Sequence, residues 1–184
     1  RMSVFIEYAV GDRNVKASAS KWRINLYPPF LGAGIRAERI SDDFMEADVS
    51  LVLRWYNRNY VGTQFGGSLY AMTDPFFMLM LMNILGRDYI VWDQAAKIDF
   101  VSPGKGKVWA RFRLTPEEIV RIKAEAESGD PLRPVYLVEV RDEQDVLVAR
   151  VEKTLYIRKK LPKKASWVGS SMLSSFANIP DQNI

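Results

Sequence analysis

A lone carboxylate inside a long apolar run constrains this chain more than any other feature. Residues 57–85 read NRNYVGTQFGGSLYAMTDPFFMLMLMNIL, polar at first, with glycines at 62, 66 and 67, then apolar to Leu85. A helix that is apolar almost all round belongs in an interior, so the rest of the chain has to wrap it. Asp74 lies among Leu69, Ala71, Met72, Phe76, Phe77 and Met78. A carboxylate in such company must be paired, neutralised or used. In one reading Asp74 is an N-cap and Pro75 the first residue of a second helical segment. In the other, Gly66-Gly67 opens the helix with free backbone N–H groups that face a partly negative oxygen. Asp74 is then the acid of a carbonyl-hydrolysing site.

Composition narrows the second reading. The chain contains no Cys and no His. Disulfides, thiolate nucleophiles, Ser-His-Asp and Cys-His machinery, and metal sites built on Cys or His are therefore excluded. Hydrolysis would rest on carboxylates, hydroxyls, backbone N–H groups and water, with no cofactor and no metal. A net charge of +4 helps an anionic ligand find the surface and is too small to imply nucleic acid. The apolar run 75–85 is too short to span a bilayer, and the first residues carry no secretory pattern. The expectation is a cytoplasmic protein without a membrane partner.

Along the chain, residues 1–18 show no sustained period and read as an arm. Ser20 can cap a short helix through Trp22, Ile24 and Leu26 that stops at Pro28-Pro29, although the alternation of the same residues also suits a strand. Residues 32–34 read as a turn, and 35–41 and 47–55 as strands. A helix from Gln64 to Leu85 would be about 33 Å long at about 1.5 Å per residue. Residues 89–92, 95–101 and 108–114 are strand-like. Thr115-Pro116-Glu117-Glu118 is a capping box that opens a short amphipathic helix to about Ser128. Residues 135–141 and 146–157 are two further strands, joined by an acidic turn. Strands in consecutive pairs argue against βαβ crossovers and for an antiparallel sheet curled around one long central helix, an α+β architecture. One sheet covers only part of such a helix, which makes a homodimer the expectation. The domain proper is read as 19–160 and 161–184 as a tail, and the basic run from Arg158 to Lys164 across that boundary reads as a solvated end.

Asn59, Gly62, Phe65-Gly66-Gly67 and Asp74 resemble the N-x-x-G-x-x-H-G-G…D pattern of the hot-dog thioesterases related to the phenylacetyl-CoA pathway enzymes. The stretches NLYPPFLGAGI, NRNYVGTQFGGSLYAMTDPFF, DYIVWDQAAKIDF and VEKTLYIRKK are similar to a hot-dog branch named domain of unknown function 4442, over residues 25–160. Two departures stand out. Phe65 occupies the place of the thioesterase His, and Asp93 falls near a position where several of those enzymes have Ser or Thr.

The resemblance implies an acyl-thioester hydrolase, with acyl-CoA as substrate. Gly66 N–H would polarise the carbonyl, Asn59 would orient it or the water, and Asp74 would act as base or nucleophile. Phe65, Gly67 and Asp93 would contact substrate, and Lys105 and Lys107 are the candidates for coenzyme A phosphates, or else ordinary turn lysines. On one continuous helix Gly66 and Asp74 lie about 12 Å apart along the axis, too far to reach the same carbonyl. A dimer, or a dimer of dimers, would bring Gly66 of one copy to Asp74 of another, as the resemblance also implies. Phe65 in place of His favours the other function class, a module that binds acyl-CoA or a lipid-like ligand without hydrolysis. Met72, Phe76, Met78 and Met80 suit either an apolar acyl pocket or the core.

Overall fold

The computed structural model describes residues 17–161; most of the arm (1–16) and nearly all of the tail (162–184) lie outside them. Two short helices come first, α1 (Ala17–Asn25) and α2 (Pro28–Ala33). Thus α1 begins inside the stretch read as an arm, and the prolines that end one helix open the next. Pro at the first helical positions has no N–H to leave unpaired there. Gly34 closes α2 at φ 79°, and a Cβ on it would lie 2.6 Å from Asn57 Nδ2. That Asn57 nitrogen donates to Ala33 O at 2.8 Å and Val52 O at 2.9 Å, so glycine is required by both the backbone angle and the contact.

Six strands follow: β1 (Ile35–Ile40), β2 (Glu46–Val52), β3 (Tyr89–Phe100), β4 (Lys107–Arg113), β5 (Val135–Asp142) and β6 (Leu147–Lys159). They form one sheet in the order β1-β2-β4-β5-β6-β3, antiparallel throughout. The capping box does open a helix, α5 (Pro116–Glu125), where Thr115 accepts a hydrogen bond from Glu118 N at 3.2 Å. The two stretches read as separate strands, 89–92 and 95–101, are one strand with a bulge at Gln94. Asp93 pairs with Leu155 while Ala95 pairs with Thr154. The extra residue reverses which side chains face inward along β3.

The central helix differs from expectation in one respect. It is two pieces, α3 (Gly66–Ala71) and α4 (Phe76–Leu85), with a turn between them. Pro75 has no N–H for a helical bond, and its ring pushes the residue before it out of the helical region. Thr73 Oγ1 donates to Tyr70 O at 2.8 Å and closes the first piece.

Packing is concentrated on α4. Phe76 lies between Phe30 and Phe112, with ring centroids 6.1 and 5.0 Å away, and Phe77 stacks on Tyr136 at 4.6 Å. Met72, Phe76 and Met80 are buried in this core and Met78 is packed against it. All four belong to the interior packing, and Phe76 and Met80 also border a small apolar pocket with Ile24 and Leu79. Taken as one stretch, Gly66–Leu85 has the length and mean hydropathy (1.3) to cross a bilayer, but half of it is buried against the protein's own sheet. A core helix meets the same criterion.

Phe76→Ala removes the ring on which Phe30 and Phe112 pack. It should lower stability by about 3–5 kcal/mol, seen as a lower urea midpoint with an unchanged slope.

Candidate active site

The approach to α3 is a loop held by side-chain amides. Asn59 Nδ2 donates to Thr63 Oγ1 at 2.8 Å and Gln64 O at 3.2 Å, and its Oδ1 accepts from Val61 N and Thr63 N. Both donors and both acceptor positions of the amide are thereby spent on the loop itself. Gln64 is buried and ties the loop to the neighbouring turn, with Nε2 donating to Gly106 O at 2.9 Å and N–H to Gly104 O at 2.9 Å. Gly66 and Gly67 then begin α3, where their N–H groups have no intrahelical acceptor. A Cβ on Gly66 would lie 2.9 Å from the Phe100 ring, and one on Gly67 would lie 2.5 Å from the Phe65 ring. The glycines let two aromatic rings lie directly on backbone. An open cleft of about 410 Å³ runs past this point, lined among others by Asn59, Gln64, Gly66, Phe100, Ser102 and Gly104. Phe65, the residue before the two glycines, is 55% exposed.

Asp74 is not a helix cap. Pro75 occupies the N-cap position of α4 and no side chain caps it. Instead, Asp74 Oδ1 accepts from Tyr70 OH at 2.8 Å and from Lys153 Nζ at 2.8 Å. Lys153 is completely buried and lies on the inner face of β6. Its ammonium also makes a 3.0 Å ion pair with Asp93 Oδ1, without the alignment of a hydrogen bond. One cation therefore joins two carboxylates from the α3–α4 turn and from β3, and the Tyr70 ring centroid lies 5.3 Å from the same nitrogen. Asp74 Oδ2 has no protein partner among the described residues, and its side chain is 46% exposed. Among those residues no three potential ligands are gathered to hold a metal.

The electrostatics follow from burial. Loss of hydration raises the Asp93 carboxyl above its ordinary value of 3.8, a shift that Asp74 reinforces and Lys153 only partly opposes. Burial alone would lower Lys153, but the Asp74 hydrogen bond and the two negative charges reverse this, and it lies above its ordinary 10.5. Burial and the hydrogen bond to Asp74 raise the Tyr70 phenol.

Of the residues singled out from sequence, Asp74 and Asp93 meet at Lys153, whereas Asn59, Phe65, Gly66 and Gly67 cluster at the start of α3. Lys105 is exposed at its turn. Lys107 is engaged elsewhere, 3.3 Å from Glu38 Oε1 and 4.0 Å above the Trp109 ring. Within the basic end, Lys159 belongs to β6 and pairs with Glu127 at 2.6 Å, and Lys160 Nζ donates to Arg87 O at 2.7 Å; Lys163 and Lys164 lie outside the described residues. Sequence reading missed Lys153 and Tyr70. Lys153 had a signal, because it shares the phase of Val151, Leu155 and Ile157, the inward positions of its strand.

Comparison with known proteins agrees with this architecture. Residues 16–157 match the family described as Domain of unknown function (DUF4442). The chain belongs to this family. Among solved structures it is similar to a Pseudomonas aeruginosa protein of unknown function named a probable thioesterase. The TM-score is 0.66 at 20% identity, over 76% of this chain and 93% of that one. A thioesterase from Haemophilus influenzae gives 0.58 at 16%, over 80% and 93%. A Chlorobaculum tepidum protein of unknown function gives 0.64 at 14%, over 81% and 100%. These likenesses establish the hot-dog fold, a curled antiparallel sheet around a central helical segment. No curated protein matches the chain.

A raised folded-state value means that Asp93 supports folding below 3.8 and that this support is lost as pH climbs through the higher folded value. The stability difference between the parent and Asp93→Asn should therefore shift against the parent as pH rises through that window. Urea unfolding of both proteins from pH 3 to 7 measures it.

Proposed function

We propose that this family member hydrolyses acyl thioesters, acyl-CoA foremost, with Asp74 as the base or nucleophile. The half-anchored Asp74 carboxylate carries this reading. A cap would spend its oxygens on helix N–H groups, whereas Asp74 bonds to Tyr70 and Lys153. Here one oxygen is fixed by Tyr70 and Lys153, and the other is open to solvent. A thiolate leaves readily, so the remaining requirement is an oxyanion donor and a delivered water. Gly66 N–H is the donor in this proposal, and Asn59 acts through the loop that presents it.

The two parts come from different copies. Within one chain α3 separates Gly66 from Asp74 by about 9 Å of helix. β3 is at the sheet edge, paired only with β6, and its second half is largely exposed. A two-fold axis beside β3 would set the Asp93 end of one strand against the Phe100 end of the other. Asp93 shares Lys153 with Asp74, and Phe100 lies on Gly66, so the pairing joins acid and oxyanion donor. Sedimentation at micromolar concentration should show a dimer or a larger even assembly; a monomer alone would remove the shared site. Lys105, exposed beside the cleft, is the stronger phosphate candidate, because Lys107 is already paired. A cytoplasmic location, where acyl-CoA is met, is part of the same proposal.

Phe65 supports a second reading, a module that holds an acyl-thioester without turnover, since an apolar ring replaces the substrate-orienting imidazole. A panel of acyl-CoA esters, from short to long and aromatic, decides between the two. Binding without thiol release on every member would select the module. For the hydrolase, Asp74→Asn should stay folded and lose at least about 100-fold in kcat, because an amide neither takes a proton nor attacks a carbonyl. Parent-like turnover in that variant would remove Asp74 from the chemistry.

A further inference from the structure

We infer that Lys153 is a positioning residue that holds Asp74 by one oxygen so that the other is presented to the reacting carbonyl, with Asp93 as the brace that fixes the ammonium. The inference rests on the hydrolase reading above. Asp74 lies in the turn between α3 and α4, where no ladder or helix secures its backbone, and its own N–H reaches Ala71 O at 3.3 Å. The placement of its carboxylate is therefore set by side-chain contacts, and these are Tyr70 OH from α3 and Lys153 Nζ from β6. Of the two, Lys153 is the anchored one. It stands in a hydrogen-bonded strand, paired to Ala96 of β3 on one side and Tyr136 of β5 on the other, and its side chain is fully enclosed.

A structural role alone accounts poorly for an ammonium at this position. Val151 and Leu155 flank it on the inner face of β6, and an apolar residue there would pack without the desolvation of a charge. Nor does the ion set balance locally. Two carboxylates, Asp74 and Asp93, meet one cation, and no other charged side chain contacts Lys153 among the described residues. Asp74 is the more exposed of the two carboxylates, 46% against 21%, so its free oxygen is the one that a substrate can reach. Asp93, part-buried on β3, keeps the ammonium from swinging away when Asp74 changes charge.

The test uses the full chain and the acyl-CoA ester that the parent hydrolyses best. Lys153→Met keeps an unbranched side chain, one atom shorter, and removes its charge. It should lower kcat about 100-fold with little change in KM, as expected when a reacting group is misplaced but the substrate is still bound. The pH profile of the rate should also differ from that of the parent, because Lys153 no longer stands between Asp74 and Asp93. In an Asp74→Asn background the same substitution should cost almost nothing further, since Lys153 acts through Asp74. A parent-like kcat and pH profile in Lys153→Met, or an equally large second loss in the Asp74→Asn background, overturns the assignment. If Lys153→Met does not fold, Lys153→Gln is measured against the same expectations. If the parent releases no thiol from any ester, the hydrolase reading falls separately. Whether Lys153 holds Asp74 by one oxygen is then decided without substrate, by the scalar coupling across the hydrogen bond from the Lys153 ammonium to the Asp74 carboxyl carbon in the parent. Its presence supports the assignment, and its absence overturns it.

Discussion

Pro75 interrupts what would otherwise be one continuous apolar helix, and the position of the Asp74 carboxylate follows from that interruption. Without the break, residue 74 would be one more position on a wrapped helix and its carboxylate would meet apolar side chains. With it, the chain turns between Ala71 and Phe76, and Asp74 swings out of helical register toward the sheet. The missing N–H of proline makes the break unavoidable, and Thr73 makes it orderly by returning its hydroxyl to Tyr70 O.

The sheet meets the displaced acid with two groups of its own. β6 supplies Lys153 at an inward position and β3 supplies Asp93 just before its bulge. Without the extra residue at Gln94, the strand would continue its original alternation and a different set of side chains would face the helix along the second half of β3. The bulge thus lets one strand serve both ends of the molecule. Asp93 faces the ion cluster at one end, and Phe100 covers the start of α3 at the other.

Much of the architecture was legible along the chain. The strand stretches were read in place, the Thr115 capping box marked α5, and strands in consecutive pairs argued against a βαβ fold. The second helix, α2, was not, because Pro28-Pro29 signals the end of one helix and the start of another in the same residues. The helix break was also written in the sequence as Asp74-Pro75. An apolar run continues on both sides of it, however, and periodicity alone does not say whether such a run bends.

The sequence by itself determined that hydrolytic chemistry here has neither imidazole nor thiol, and that Asp74 must find a partner or a use. It also determined that a buried helical segment needs a sheet around it. Only the tertiary structure decided who that partner is. Asp74 and Lys153 are seventy-nine positions apart, and their contact exists because β6 crosses the helix break at one residue of its inner face. Local propensity and periodicity describe neighbours along the chain. Which buried cation answers which buried acid depends on strand register, and register is set by the packing of the whole core.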